Sequence, residues 1–190
     1  MLEINAFEIL LEILKKYDNG QYLAKSKKKV DSSYLHNNHC LIEFYSRFEL
    51  KNLVIETGIS SLSFIDYFNL QERNTNYSFS NLKKHDYLIF LEQTGGGEPI
   101  LFNFQEDNNN PSIYAAYDVL EPFKIADNFL QFIEALTVIV DTVYNEYNIY
   151  ETYTNDDCDE IKPEFLPKIK MKLSPILGEN IDSFMKYFYE

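Results

Sequence analysis

Apolar and polar positions recur with two different periods along this 190-residue chain. Residues 2–17 place Leu2, Ala6, Ile9, Leu10 and Ile13 at helical spacing, and Asp18-Asn19-Gly20 ends the run in a turn. Asp31-Ser32-Ser33 offers an N-cap to a helix over Tyr34–Phe48, with Leu35, Leu41, Ile42, Tyr45 and Phe48 toward the core. Lys51–Glu56 and Ser63–Asn69 read as strands, and residues 71–82 as a polar, turn-rich stretch. Tyr87–Glu92 is a further strand. Thr94-Gly95-Gly96-Gly97 turns the chain, because glycine takes positive φ freely. Pro99 opens the returning strand, where a missing N–H does least harm. After the loop QEDNNNP, Ser112–Tyr117 is the next strand, an antiparallel neighbour by proximity. Asp127 starts a helix running to about Tyr147, with Phe129, Phe132, Ile133, Leu136, Val140, Val143, Tyr144 and Tyr147 as its apolar stripe. Past an acidic break, the tail predicts two short helices, Glu164–Lys172 and Pro175–Tyr189.

Strands and helices thus segregate along the chain, which predicts an α+β fold: a central, mainly antiparallel sheet flanked by helices. Residues 1–147 form the domain. Residues 148–190 are an acidic linker and a helical C-terminal extension packed on it. Composition agrees with a packed core: 45% of residues are apolar and 16% aromatic. No run of 18 apolar residues occurs, so no membrane span is expected. The first helix carries Glu3, Glu8 and Glu12 where a signal peptide would be basic. Cys40 and Cys158 are too few for a disulfide framework and read as free thiols in a reducing cytoplasm.

The net charge of −13 is unevenly spread. Residues 1–95 hold 11 Lys and Arg against 12 Asp and Glu, a net of −1; residues 96–190 hold 6 against 18, a net of −12. Such a surface repels phosphate backbones and anionic lipid and steers a basic partner. The only basic cluster, Lys25, Lys27, Lys28 and Lys29, is too short for a nucleic-acid patch.

Candidate chemistry is thin. His36, His39 and Cys40 bring three metal-ligand side chains within five residues, but zinc takes four well-spaced ligands. Gly95–Gly97 is followed by Glu98-Pro99 and a strand, where a phosphate loop needs a Lys-Ser/Thr and a helix. The run 155–160 lacks the glycine and terminal Glu of a calcium loop. No carboxylate pair and no Ser/Cys–His–Asp set stands out. The expectation is a protein that is not an enzyme, with no metal and no cofactor.

The residues Tyr87–Leu91, Gly95-Gly96-Gly97-Glu98-Pro99, Ile100–Asn103 and Asp127–Leu136 (DNFLQFIEAL), preceded by Leu41–Phe48 (LIEFYSRF), resemble the SUKH superfamily in order and spacing. The chain departs from that pattern at Glu49-Leu50-Lys51-Asn52, where the family has Asn-Gly. Ser32-Ser33-Tyr34-Leu35 stands in place of the family's Leu-Pro opening. The resemblance spans roughly residues 30–147. It implies an α+β fold and a non-catalytic protein-binding module, in bacteria an immunity protein that neutralises a cognate toxin. A basic, nuclease-type toxin domain is the expected partner, with no direct contact to nucleic acid or membrane. A regulatory scaffold without a toxin, like the fungal relatives, is the alternative. The expected binding residues are the exposed carboxylates of the acidic half: Glu98, Glu106, Asp107, Asp118, Glu121, Asp156, Asp157, Asp159 and Glu160. Tyr114, Tyr117, Tyr150 and Tyr153 are candidate aromatic anchors. Gly95, Gly96, Gly97 and Pro99 have a structural role in the turn.

Overall fold

Six strands follow one another across a single antiparallel sheet in chain order: β1 (Val54–Glu56), β2 (Ser61–Phe64), β3 (Tyr87–Gln93), β4 (Pro99–Asn103), β5 (Ser112–Ala115) and β6 (Phe123–Ala126). The computed structural model describes residues 2–17, 29–50, 53–76, 86–117, 121–149, 151–155, 157 and 160–190. Helices α1 (Leu2–Tyr17) and α2 (His39–Arg47) precede the sheet, and α3 (Tyr67–Asn76) lies between β2 and β3. Helix α4 (Phe129–Glu146) follows the sheet. Then come α5 (Phe165–Leu177), one 3-10 turn (Gly178–Asn180) and α6 (Ile181–Tyr189). The α+β class expected from the sequence is the class observed.

Register decides which side chains share a face, since directly opposed residues of antiparallel strands point the same way. Leu88, Phe102 and Ile113 form one row, and Phe102 meets Phe129 of α4 at 5.2 Å between ring centroids. That row therefore faces the helices. Phe90 packs at a tilt on Phe102 at 4.2 Å and reaches Phe132 at 5.7 Å; Phe7 of α1 closes on Phe44 at 4.7 Å and Phe64 at 5.5 Å. Helix α1 lies along α4, and all eight positions of the α4 stripe expected from the sequence are buried. The opposite row holds Tyr87, Asn103 and Ser112, and beside it Ile89, Leu101, Tyr114 and Lys124.

The structure redraws several expected elements. The helix expected over Tyr34–Phe48 starts only at His39, because residues 32–37 form turns in which His36 and Asn37 adopt φ of 53° and 54°. Its cap is Asn38, whose Oδ1 accepts from the Leu41 N–H at 3.0 Å. Asp31 instead closes a local turn, accepting from the Ser33 N–H at 3.0 Å. The strand expected over Ser63–Asn69 ends at Phe64. Asp66 accepts from the Phe68 N–H at 3.0 Å and launches α3, which takes over the end of the expected strand and runs on into the stretch expected to be turns. Strand β6 has no counterpart in the expectations. Helix α4 is capped by Asn128, one residue after Asp127, with Oδ1 accepting from Gln131 N–H at 2.9 Å. Pro175 does not start the last helix. It sits within α5 on an exposed side near the end, and the break falls at Gly178. In α1 the buried stripe is Ile4, Phe7, Leu10, Leu11 and Leu14, while Leu2 and Ile9 face outward.

Helices α5 and α6 pack on α4 and on β6. Phe165 meets Tyr147 at 5.1 Å, and Phe184 lies 6.4 Å from Phe132. Three tyrosine hydroxyls tie α6 to one end of the sheet. Tyr187 donates to the Glu98 carbonyl at 2.9 Å and Tyr189 to the Thr57 carbonyl at 3.3 Å, while Tyr117 donates to the Lys186 carbonyl at 2.8 Å.

Candidate functional site

An antiparallel meander sorts its connections to alternate ends, and that sorting divides the expected carboxylates. The β1–β2 and β3–β4 turns share one end, linked by the Thr94 N–H to the Ser61 carbonyl at 2.7 Å. Glu98 lies there. Gly95 and Gly97 take φ of 97° and 76°, as the turn requires. Gly96 is glycine for a different reason: an added Cβ would stand 2.0 Å from Glu98 Oε2. The Glu98 carboxylate is thus folded back over its own turn. Asp157 and Glu160 belong to a small loop closed by the Tyr153–Ile161 bridge and pinned to Gly58, whose carbonyl accepts from Thr152 Oγ1 at 2.6 Å. Glu160 is exposed, and Thr154 donates both N–H and Oγ1 to its carbonyl, at 2.8 and 3.2 Å. Asp118, Asp156 and Asp159 lie outside the described residues, as do Tyr150, Cys158 and Lys25, Lys27 and Lys28.

Glu106 and Asp107 stand at the other end, in the exposed β4–β5 loop. That loop is held by the N-terminus of α2. The Asn38 Nδ2 donates to the Asn108 carbonyl at 2.6 Å, and Asn108 donates back to the His36 carbonyl at 3.0 Å. His36 stacks on Phe104 at 4.2 Å, and burial holds its imidazole below its usual pKa. Asn38 therefore caps a helix with one amide atom and clamps a loop with the other.

The loop delivers Glu106 to the outer face of the sheet. Ser112 Oγ donates to Glu106 Oε2 at 3.0 Å, and the Tyr114 hydroxyl lies 3.4 Å from Oε1. Tyr87 on β3 and Tyr114 on β5 flank β4, so their strands are about 9.6 Å apart. The two rings lean across β4 and meet at 5.8 Å between centroids, with a 44° tilt. They roof Leu101 and Asn103, which are buried although they point away from the helices. Both tyrosines are half-buried. Their phenols are pushed above the usual pKa first by burial; Glu106 pushes both the same way, and Glu121 adds to the effect on Tyr87. Glu121, in the β5–β6 connection, thus lies near enough to Tyr87 to act on it. Lys124, on the same face, is directed at Asp127 at 2.8 Å, which raises its pKa.

Of the expected carboxylates, then, the structure brings Glu106 to the aromatic pair, sets Glu121 within electrostatic reach of Tyr87, and leaves Glu98, Asp157 and Glu160 elsewhere. Tyr87 and Asn38 were not among the expected site residues. The 27-residue separation of Tyr87 from Tyr114 hides their meeting. Asn38 is recognisable only as the cap of a helix shorter than the one expected. The His36–Cys40 run does not present a shared helix face, since α2 begins at His39. Cys40 is half-buried, and burial first, then Glu3 and Glu43, pushes its thiol up to about 12. Among the described residues, no group of three or more His, Cys, Asp or Glu is placed to hold a metal ion. A groove of about 500 Å³ lies beside α3, lined by Asp31, Ser33, Tyr34, Tyr67, Phe68 and Gln71.

A six-stranded meander backed by helices on one face, with a tyrosine–carboxylate surface on the other, makes this an α+β protein. Residues 8–135 match the model of the SMI1 / KNR4 family (SUKH-1), and the chain belongs to that family. The match begins inside α1, earlier than the resemblance read from the sequence, and ends inside α4. The family is one of toxin-immunity-type domains; its members are generally non-catalytic and take a protein partner. No curated protein and no solved structure matches the chain. Among the described residues, no helix is long and apolar enough to cross a membrane.

Proposed function

We propose that the chain is an immunity protein that binds a cognate toxin and neutralises it by occupancy, without chemistry of its own. The toxin is a basic, nuclease-type domain, and the encounter takes place in the cytoplasm. Residues 1–147 serve as the binding domain, with residues 148–190 as an extension packed on it. The observation that carries this reading, beyond family membership, is the concentration of negative charge: a net of −12 in residues 96–190, with Glu106, Asp107, Glu121 and Glu160 exposed. Carboxylates so placed occupy a phosphate-binding cleft as the nucleic acid would, and they speed association by long-range attraction. The test is to co-express the chain with each toxin candidate found in its gene neighbourhood, followed by stopped-flow mixing of the two purified proteins. The reading expects rescue of growth and an association rate falling at least about tenfold between low salt and 0.5 M salt, as steered encounters do. Capture of a partner that is not toxic would overturn the immunity role. A salt-insensitive association rate would overturn the electrostatic part.

A further inference from the structure

Resting on the toxin-binding reading, we propose that the Tyr87–Tyr114 roof over β4, with Glu106 and Glu121 beside it, is the docking surface, and that it takes an arginine-presenting segment of a basic partner protein. Three observations converge there. The rings are carried on paired strands and already touch each other, so little side-chain freedom remains to be lost on binding. Glu106 is oriented in advance by Ser112 Oγ, and its loop is clamped through Asn38. On this face Lys124 is engaged by Asp127, which partly offsets its pull on Tyr114, while Glu106 bears on both tyrosines.

The chemistry selects arginine over lysine. A guanidinium is flat, so it stacks on a phenol ring while its forked N–H groups address a carboxylate at the edge. An ammonium on a flexible stem makes one of these contacts well, not both. Glu98 also stands near an aromatic cluster, Tyr117 with Phe123 and Tyr187, but the Tyr117 and Tyr187 hydroxyls are engaged by backbone carbonyls. Glu98 is folded against Gly96, and Glu160 sits on a loop whose Thr154 bonds back to it. The tyrosine roof is the anchor of a larger contact, since a stable interface covers about 800 Å² on each partner.

The test uses the full chain and fluorescently labelled hexa-arginine and hexa-lysine peptides, read by anisotropy at low salt. Hexa-arginine should bind at least about fivefold tighter than hexa-lysine. Glu106→Gln and Tyr114→Leu should each weaken hexa-arginine by about tenfold, and Tyr114→Phe and Glu98→Gln by less than about threefold. Equal binding of the two peptides, or a loss from Glu98→Gln as large as that from Glu106→Gln, overturns the assignment. Should Tyr114→Leu fail to fold, NMR titration of the unaltered chain with hexa-arginine replaces it. The largest shifts belong at Tyr87, Leu101 and Tyr114, and shifts centred on α5 and α6 overturn the assignment. Growth rescue separates the two readings. Rescue undiminished in both Glu106→Gln and Tyr114→Leu sinks the surface alone, whereas no rescue by the unaltered chain sinks the immunity role.

Discussion

The two faces of the sheet use aromatic residues in opposite ways. Under the helices stand phenylalanines: Phe90, Phe102 and Phe132 are fully buried and locked ring against ring with Phe7, Phe44, Phe64 and Phe129. On the outer face stand Tyr87 and Tyr114, half-exposed, with the Tyr114 hydroxyl 3.4 Å from the Glu106 carboxylate. A phenyl ring offers only apolar area and edge-to-face contact, so it belongs where water is excluded. A phenol adds a polar end and stays at the boundary, rigid yet wet. The contrast separates what holds the fold from what is available to a partner.

The comparison is tested most severely at its inner side. Phe102→Ala should cost about 3–5 kcal/mol in chemical denaturation, the usual range for removing a buried Phe. Tyr114→Ala should cost about 1–2 kcal/mol, since part of the ring is already in water. Equal losses would break the division into a structural and an available face.

Gly58 extends the contrast to the point where the tail meets the sheet. Its φ is 92°, and an added Cβ would lie 2.8 Å from Phe165 Cζ and 2.9 Å from Thr152 Cγ2. Gly58→Ala therefore combines an unfavourable backbone with overpacking and should cost about 2–4 kcal/mol. Gly95 has a similar φ of 97° but nothing within 4 Å of its Cβ position. Gly95→Ala should cost only about 1 kcal/mol. Thermal unfolding of the two variants side by side checks that steric contact, beyond φ, makes the difference.

Asn38 joins the faces. Asn38→Ala removes the α2 cap and frees the loop that positions Glu106, and should cost about 1–3 kcal/mol. It should also raise amide exchange across residues 105–110, while the α4 amides stay protected.

These contrasts were unevenly legible in the chain. The α4 stripe was readable because eight apolar positions recur at a single helical period and all face one way. Helix α1 was readable as a helix but not in phase, since its apolar residues form two adjacent stripes and only the packing against α4 and Phe44 selects Phe7 and Leu14. In SFIDYFN the aromatic and branched residues favour a strand, and the Asp66 turn overrides them after Phe64. The four residues of β6 are too few to show a period of two. The site was half legible: Glu106 and Glu121 follow from charge, but Tyr87 reaches Tyr114 only through the register of β3, β4 and β5 and the bulge between Ile89 and Leu91.

The smallest effect probes the rim of the outer face. Lys124 and Asp127 pair at 2.8 Å with side chains 33% and 45% exposed. Hydrogen bonding from Lys124 is the main influence holding the Asp127 carboxyl below its ordinary pKa. A depressed carboxyl stabilises the fold above the unfolded-state pKa of about 3.9 and loses that contribution as pH falls through the folded value. Lys124 is shifted upward, so its share is present below about 10.4 and lost as pH rises through its folded value. Together they place a flat stabilisation across neutral pH, held to about 0.5 kcal/mol by solvent screening. Asp127→Asn should therefore destabilise by about that amount in denaturant titrations at pH 7, and the difference should vanish in acid, below the carboxyl's folded pKa. A difference that persists undiminished in acid would mean that Asp127 acts through its hydrogen bonds at the start of α4. Lys124 would then be available to compete with an incoming arginine on the outer face.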